Sequence, residues 1–280
     1  MSLAKIRIGT SGYSFEDWKG VFYPEDIPKG KMLDFYAKEF KTVEINSTYY
    51  RIPNQAVFYH LNRKTPPDFE FISKVHQEVT HNRENAEESM KALHAVLEPI
   101  KSAQKLHGFL AQFPWGFKYS VQNLDYLGKV KTLSEETPLF VEFRNRTWIR
   151  NEVYQFLRDH EIGYCNVDEP NFPSLVPPQD IATTEIGYMR FHGRNTQNWW
   201  GSSGGDRYDY RYSMEELSEW LGRIRSLSQK TRKTYLFFNN CHMGHAVVNA
   251  RQMMELLFRR GMPAIDGGAE KGEDEILDSD

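Results

Sequence analysis

Eight short apolar segments recur along the chain, and segments with helical spacing separate nearly all of them. The apolar segments cover residues 6–10, 42–46, 69–74, 107–113, 139–144, 161–168, 185–192 and 233–240. Helical spacing is present at 31–40, 85–100, 121–130, 150–160, 214–228 and 247–259, and a further helix is expected to begin at Pro53 and Asn54. Alternation of strands with helices is typical of a parallel sheet. Eight such units in 280 residues predict an α/β fold, a single (β/α)8 TIM barrel.

Two long loops interrupt this alternation, one after the first predicted strand (11–31) and one after the seventh (193–213). A doubly wound open sheet is the alternative architecture. The chain has neither a GxGxxG sequence after its first strand nor a P-loop, the two patterns that accompany many nucleotide-binding open sheets. The barrel is therefore the preferred prediction.

Charge is distributed unevenly, and this sets the predicted domain boundary. Residues 264–280 contain seven acidic side chains and one lysine, a charge of −6, whereas the whole chain carries −3. Residues 1–263 therefore carry +3 and form the predicted barrel domain. The acidic segment 264–280 is poor in apolar residues, so we expect a disordered tail.

The chain is expected to be cytoplasmic. It has two cysteines, Cys165 and Cys241, without the spacing of a disulfide scaffold or a zinc ribbon. No apolar run approaches the roughly 18 residues of a membrane span, and the N-terminal residues lack the apolar stretch of a signal peptide. We therefore predict no membrane partner.

Polar residues follow or end most of the predicted strands. Because a TIM barrel carries its chemistry at the C-terminal ends of its strands, these residues are the candidates for a site. Five strands end in polar pairs at positions i and i+2, which share a face of a strand. The pairs are Glu44 with Asn46, Lys74 with His76, Glu142 with Arg144, Asn166 with Asp168, and Arg190 with His192. We interpret this repetition as a polar cup at one mouth of the barrel.

The cup contains groups suited to acid–base chemistry and to anion binding. Glu44, Glu142 and Lys74 are the predicted catalytic residues. The predicted ligand-binding residues are those that could hold an anionic group or complete the cup: Asn46, Arg144, Asp168, Arg190, His192, Asn239 and Asn240. The competing interpretation is that these groups only satisfy one another, as buried polar groups must.

Aromatic residues in the two long loops extend the candidate site. Trp18, Trp200 and Tyr208 are predicted ligand contacts, and arginines such as Arg207 are interleaved with them. Flat rings of this kind stack on sugars or bases. The alternative is that they only pack the loops against the barrel.

Metal and thiol chemistry have weaker support in the sequence. The candidate metal ligands are His76, His192, His242, Glu142 and Asp168, but no HxH or HExxH spacing is present. We therefore predict no metal ligands and leave the cofactor open. Cys241 is adjacent to His242, yet neighbours in sequence do not make a catalytic dyad.

Seven segments carry a family resemblance: GTSGYSFEDWKGVFYP, VEINSTYYRIP, FISKVHQEVTH, LFVEFRNRTW, YMRFHGRN, RYDYRYS and FFNNCHMGHAVVNA. They occur in order between about Ile6 and Leu257, and they resemble the YecE-like family of unknown function. The resemblance implies a TIM barrel and no assigned activity. The residues that match the motif positions of the family are Glu44, Asn46, Ser47, Lys74, His81, Glu142, Arg144, His192, Gly193, Asn239 and Asn240.

The function expected from these residues is that of an enzyme, of hydrolase or lyase type, acting on a small anionic or phosphorylated ligand. The alternatives are a nucleic-acid-binding or phosphodiester-acting barrel and a non-catalytic ligand-binding barrel. A distant likeness to endonuclease-IV-type barrels is fold analogy alone, and this chain lacks the many histidines of a trinuclear zinc site.

Overall fold

A computed structural model describes residues 4–201 and 205–262, and it confirms the predicted (β/α)8 TIM barrel. All neighbouring strands are parallel, in the order β1-β8-β7-β6-β5-β4-β3-β2. An isolated parallel bridge between Ser11 and Glu44 brings β1 beside β2 at the end of this order. The barrel is therefore nearly closed. The predicted acidic tail, 264–280, lies outside the described residues.

The strands lie close to the predicted positions. They are β1 Lys5–Thr10, β2 Thr42–Ile45, β3 Glu70–Lys74, β4 Leu106–Gln112, β5 Leu139–Glu142, β6 Ile162–Asp168, β7 Ile186–Phe191 and β8 Lys233–Phe238. The helices are α1 Met32–Glu39, α2 Ser47–Tyr50, α3 Gln55–Lys64, α4 Ala86–Ser102, α5 Val121–Leu133, α6 Asn151–Asp159, α7 Met214–Ser218, α8 Leu221–Lys230 and α9 His245–Arg259. The long loops follow β1 and β7, as predicted. In the described part of the chain, no helix has the length and apolarity needed to cross a membrane.

The single helix predicted over 214–228 is wrong in one respect, because the structure divides it into α7 and α8. A capping box formed by Ser213 and Glu216 begins α7. The division lies at Trp220, which is buried and donates its indole N–H to Asp168 at the end of β6. This contact fixes the turn beneath the long loop that follows β7.

The barrel interior is filled from alternating positions of the strands, and Phe140 on β5 shows how tightly. A Cβ built on Gly108 would lie 2.5 Å from the Phe140 ring, and one built on Gly163 would lie 2.4 Å from it. The two neighbouring strands therefore carry glycine where the ring lies between them. This contact also fixes which face of β6 is inward, because Gly163 and Cys165 share that face.

Replacing Gly163 with alanine is expected to lower the free energy of unfolding by about 1–3 kcal/mol, because the new methyl group overlaps the Phe140 ring in a packed interior. Gly222 on α8 is the matched control, because it is exposed and a Cβ there meets no atom within 4 Å. Alanine at Gly222 should stabilise the protein by about 0.5–1 kcal/mol. Urea denaturation of both variants measures the difference. Equal stability of the two would contradict the packing described here.

Candidate functional site

Arg190 is the centre of a buried ionic cluster at the C-terminal mouth of the barrel. Its Nη1 lies 2.6 Å from Glu142 Oε2, and its Nη2 lies 2.6 Å from Glu44 Oε1. Glu44 also accepts a 2.7 Å hydrogen bond from the Tyr188 hydroxyl. Both carboxylates are 0% exposed. The guanidinium therefore joins β2, β5 and β7 across the barrel.

Glu142 is paired with a second arginine as well. Its Oε1 lies 2.6 Å from Arg144 Nε, and Arg144 Nη1 donates to Glu169 Oε2 at 2.9 Å. Burial alone would raise the pKa of Glu142, but the charges of Arg144 and Arg190 hold it well below its usual range. Glu142 is thus a permanent anion that balances two cations.

His192 completes the cluster in its neutral form. Asn239 accepts a hydrogen bond from Arg190 through Oδ1 at 3.2 Å, so its amide nitrogen faces His192 Nδ1 at 3.0 Å. An acceptor role for Nδ1 leaves the ring proton on Nε2, which lies 3.2 Å from Glu142 Oε1. Burial, with the charge of Arg144, lowers the pKa of His192 to about 3.

A neutral buried histidine makes stability depend on pH. The unfolded chain takes up a proton near pH 6.5, whereas folded His192 does so only near pH 3, so stability falls as the pH decreases between these values. His192→Gln should remove this contribution, which is about 1.4 kcal/mol per pH unit for one proton. Urea denaturation between pH 4 and 6.5 should therefore show a shallower pH dependence in this variant. The exposed His60→Gln serves as the control and should keep the slope of the parent. Parallel slopes for all three proteins would exclude the buried neutral state.

A cavity of about 360 Å³ lies at the mouth, with Arg144 in its wall. We call it the mouth cavity. Its described lining is cationic, aromatic or neutral and includes no carboxylate; it consists of Tyr49, Tyr50, Lys74, His81, Gln112, Pro114, Trp115, Arg144, Leu175, Trp199, Trp200, Arg207 and Tyr208. The carboxylates of the ionic cluster lie beneath this surface. A ligand in the cavity therefore meets positive charge and flat rings.

Lys74, at the end of β3, is a partly buried cation in this wall. Its Nζ donates to Gln112 Oε1 at 2.9 Å and lies 4.4 Å from the centre of the Tyr49 ring. Burial, together with the charge of Arg190, lowers the pKa of Lys74 to about 7. Its amine is thus poised between charged and neutral forms near neutral pH.

His81 lies in the same wall, on a π-helical turn at Glu78–Asn82 that follows β3. Its Nδ1 is 2.9 Å from Thr80 Oγ1. Burial and the charge of Lys74 lower the pKa of His81 to about 4, so the ring is neutral at physiological pH. A neutral imidazole and an amine of near-neutral pKa that line the same cavity are candidates for proton transfer to a ligand there.

Aromatic rings form the other walls of the mouth cavity. Trp199 is buried and stacks over Arg144, with 5.5 Å between the guanidinium carbon and the ring centre. Trp115 and Trp200 lie at the rim, 39% and 49% exposed, with ring centres 5.8 Å apart. These rings come from the loops after β4 and β7, which lie together over the barrel.

The predicted site residues divide into three groups. Lys74, Arg144, Trp200 and Tyr208 line the mouth cavity. Glu44, Glu142, Arg190, His192 and Asn239 form the ionic cluster beneath it. Asn46, Trp18, Asp168 and Asn240 belong to neither group.

Three of these residues have local roles in the structure, and Asn46 is the exception. Trp18 is buried and donates to the Cys241 carbonyl, so it packs the β1 loop. Asp168 accepts from Arg194, Tyr212 and Trp220. Asn240 donates to the Tyr210 carbonyl and to Asn249. Asn46 is partly exposed, and its Oδ1 is buried with no hydrogen-bond partner in the described residues.

The pair on the sixth strand does not belong to the polar cup. Asn166 and Asp168 do share a face, but it is the outer face of β6, because Gly163 and Cys165 point inward. Asn166 there bonds to the backbone of Ile181 and Tyr188. The i and i+2 spacing thus predicts a shared face without saying which one.

Residue-by-residue reasoning missed several side chains of the site. Tyr49 and Trp115 line the cavity, and Glu169 binds Arg144. Glu169 directly follows Asp168, where the sequence offers two adjacent acids and no means of choosing between them. His81 was implied only by the family resemblance. In the described ranges, no three His, Cys, Asp or Glu side chains converge as a metal site would require.

Comparison with known proteins gives a consistent result. A family model described as a protein of unknown function, DUF72, matches residues 7–270. The UPF0759 protein YunF of Bacillus subtilis (strain 168) is 32% identical over 269 residues, which cover 90% of this chain and 94% of YunF.

Solved structures of the same family are also similar to this chain. A DUF72 protein of Thermotoga maritima MSB8 has a TM-score of 0.84 at 43% identity, over 91% of this chain and 99% of that one. One from Enterococcus faecalis V583 has a TM-score of 0.82 at 27% identity, over 90% and 95% of the two chains. The finer name, YecE-like, stays a resemblance of motifs. The chain belongs to the DUF72 family of proteins of unknown function.

Proposed function

We propose that this protein is an enzyme that binds a small anionic ligand, phosphorylated or carboxylated, in the mouth cavity. The observation that carries the proposal is the described lining of the cavity, which contains Lys74, Arg144 and Arg207 and no carboxylate. Arginine matches phosphate and carboxylate groups through paired N–H donors. A cavity of about 360 Å³ has the size of a small-molecule site.

The roles that we assign to the residues of the site differ from those expected from sequence. Glu44 and Glu142 are fully buried and paired with Arg190, so we assign them positioning roles rather than proton transfer. Lys74 and His81 line the cavity, and the pKa of Lys74, lowered to about 7, suits proton transfer near neutral pH, with the neutral His81 ring as a relay. Acid–base chemistry is accordingly assigned to this pair.

Arg144→Ala is expected to weaken anion binding about 10- to 100-fold, since a hydrogen bond to a charged group contributes about 1.5–3 kcal/mol. Arg146→Ala is the matched control, because it removes the same charge two residues away at an exposed position outside the cavity wall. The measurement is a thermal-shift screen of orthophosphate, phosphoglycolate and small dicarboxylates, followed by calorimetric titration. Arg144→Lys keeps the positive charge and shows whether a loss of binding in Arg144→Ala comes from a folding defect. Absence of binding by every anion, or equal losses in the Ala variants, would refute the proposal.

A nucleic-acid ligand is the second candidate, favoured by the rim of the cavity. Tyr50 is 73% exposed and, with Trp115 and Trp200, gives three accessible rings beside a cationic surface. Bases stack on rings of this kind in proteins that bind single strands. Such binding to an oligonucleotide should weaken steeply with salt and be lost in Trp200→Ala. Absent or salt-insensitive binding would remove this candidate.

A further inference from the structure

Lys74 differs from an ordinary buried lysine in how its amine is satisfied. Lys105, buried elsewhere in the barrel, donates to three oxygens: the carbonyls of Asn62 and Thr65 and the Thr65 hydroxyl, at 2.8–3.1 Å. The amine of Lys74 has one oxygen acceptor, Gln112 Oε1, and otherwise lies over the Tyr49 ring. No carboxylate in the described ranges forms an ion pair with it. The protein therefore does little to stabilise the protonated form of Lys74. Little interaction energy is lost when the amine is neutral.

The surroundings of Lys74 as a whole disfavour its charged form. Burial is the largest cause of the lowered pKa of Lys74, and the guanidinium groups of Arg190 and Arg144 add to it; together they outweigh Glu142 and Glu44, which favour the charged amine. A lysine desolvated beside other cations is an activated nitrogen nucleophile. At pH 7, about half of an amine with a pKa of about 7 is neutral, compared with roughly one in a few thousand for an ordinary lysine.

We propose that Lys74 is a covalent catalyst that forms an imine with a small carbonyl compound carrying an anionic group, which Arg144 holds. This inference rests on the proposed function, because it places the anionic group of the same ligand against Arg144. It adds the class of electrophile, an aldehyde or ketone. It also gives the neutral amine of Lys74 a role, whereas anion binding alone does not require a neutral amine.

The chemistry balances with the groups present in the cavity. The lone pair of Nζ attacks the carbonyl carbon and forms a C–N bond, the C–O π bond breaks, and one of the two amine protons passes to the carbonyl oxygen. The C–O bond of the resulting carbinolamine then breaks, the hydroxyl leaves as water with the second amine proton, and a neutral C=N bond remains. The neutral ring of His81 lines the same cavity and can relay these protons. Amine and carbonyl thus give imine and water, with no oxidant or reductant.

Borohydride reduction tests the proposal, because hydride converts the imine into a stable secondary amine. The full-length protein is incubated with pyruvate, glyoxylate or dihydroxyacetone phosphate, and with uncharged dihydroxyacetone for comparison. Sodium borohydride is added, and intact and peptide mass spectrometry locate the adduct. We expect one adduct per chain, on Lys74, with a charged probe. Carboxylated and phosphorylated probes distinguish the two sources of negative charge.

Lys74→Arg is the key variant, because a guanidinium group cannot form the imine. It should lose the adduct. Lys118→Gln is the control, since Lys118 is exposed beside Trp115 and should not affect trapping. No adduct on Lys74 with any probe, or equal modification of exposed lysines, would overturn the inference. If anions still bind in that case, the proposed function stands; if Lys74 is trapped only by the uncharged probe, anion recognition fails instead.

The pH dependence of trapping provides a second readout. Adduct formation on Lys74 should rise as the pH increases through about 7, the pKa to which its surroundings lower it. Exposed lysines should react increasingly up to their ordinary pKa, about 10.4. A profile for Lys74 that matches the exposed lysines would contradict an activated amine.

Discussion

Replacing Arg190 with methionine is expected to lower the free energy of unfolding by about 3–5 kcal/mol, the usual cost of breaking a buried ion pair from one side. The substitution would leave Glu44 and Glu142 buried without the guanidinium that joins them. Chemical denaturation measures the loss. A large effect is predicted because both carboxylates are 0% exposed and cannot recover solvation without opening the barrel mouth.

Two further variants show whether the loss has this electrostatic origin. Combining Arg190→Met with Glu44→Gln removes the carboxylate whose ion pair with Arg190 is lost, while Glu142 keeps its pairing with Arg144, and should restore part of the stability. Arg232→Met removes a surface partner, since Arg232 and Glu185 form a 2.6 Å ion pair with side chains 81% and 69% exposed. That variant should denature essentially like the parent. A mild effect of Arg190→Met, similar to that of Arg232→Met, would contradict the central role given to Arg190.

Asp168→Asn is expected to destabilise the protein by about 3 kcal/mol and to weaken ligand binding without touching the ligand. Asp168 is 1% exposed and accepts hydrogen bonds from Tyr212 at 2.8 Å, from Arg194 at 2.7 Å and from the Trp220 indole. An amide in its place would direct N–H groups at donors. These contacts anchor the loop after β7, which carries Trp199, Trp200 and Tyr208.

The measurement for Asp168 combines stability with affinity for phosphoglycolate, the probe of the anion screen. Because the effect acts through the loop, we expect affinity to fall less than in Arg144→Ala, while stability falls more than in Arg207→Gln, the stability control in the same loop. Arg207 is partly buried in the cavity wall and does not bind Asp168. Loss of binding with unchanged stability would instead make Asp168 a direct ligand contact, as the sequence first suggested.

The fold was largely predictable from sequence because its signals are repetitive. Each of the eight strands has a clear apolar run, and each polar ending marks the same edge of the barrel. Errors arose where a single tertiary contact decides the outcome. The division between α7 and α8 depends on the contact of Trp220 with Asp168, which no local sequence pattern predicts.

The site was predictable in its composition and less so in its geometry. Spacing correctly grouped Glu142 with Arg144 and placed Arg190 with them. It could not determine that Asp168 and Asn240 face outward, because the inward face of a strand buried on both sides is set by its neighbours. Nor could it separate Glu142, beneath the cavity, from Lys74, within it. Because Glu142 lies deeper than Lys74, its assigned role changes from proton transfer to positioning.

The most direct test of the central claim uses the six tryptophans of the chain as internal reporters. Trp115, Trp199 and Trp200 line the mouth cavity, whereas Trp18, Trp148 and Trp220 are buried elsewhere. Their indole N–H signals can be followed by NMR while phosphoglycolate is titrated into the uniformly ¹⁵N-labelled protein. We predict saturable shifts for the three cavity signals, which in Arg144→Ala require about 10- to 100-fold more phosphoglycolate, and none for the other three. Unchanged cavity signals, or equal shifts in all six, would contradict an anion site at the mouth of this barrel.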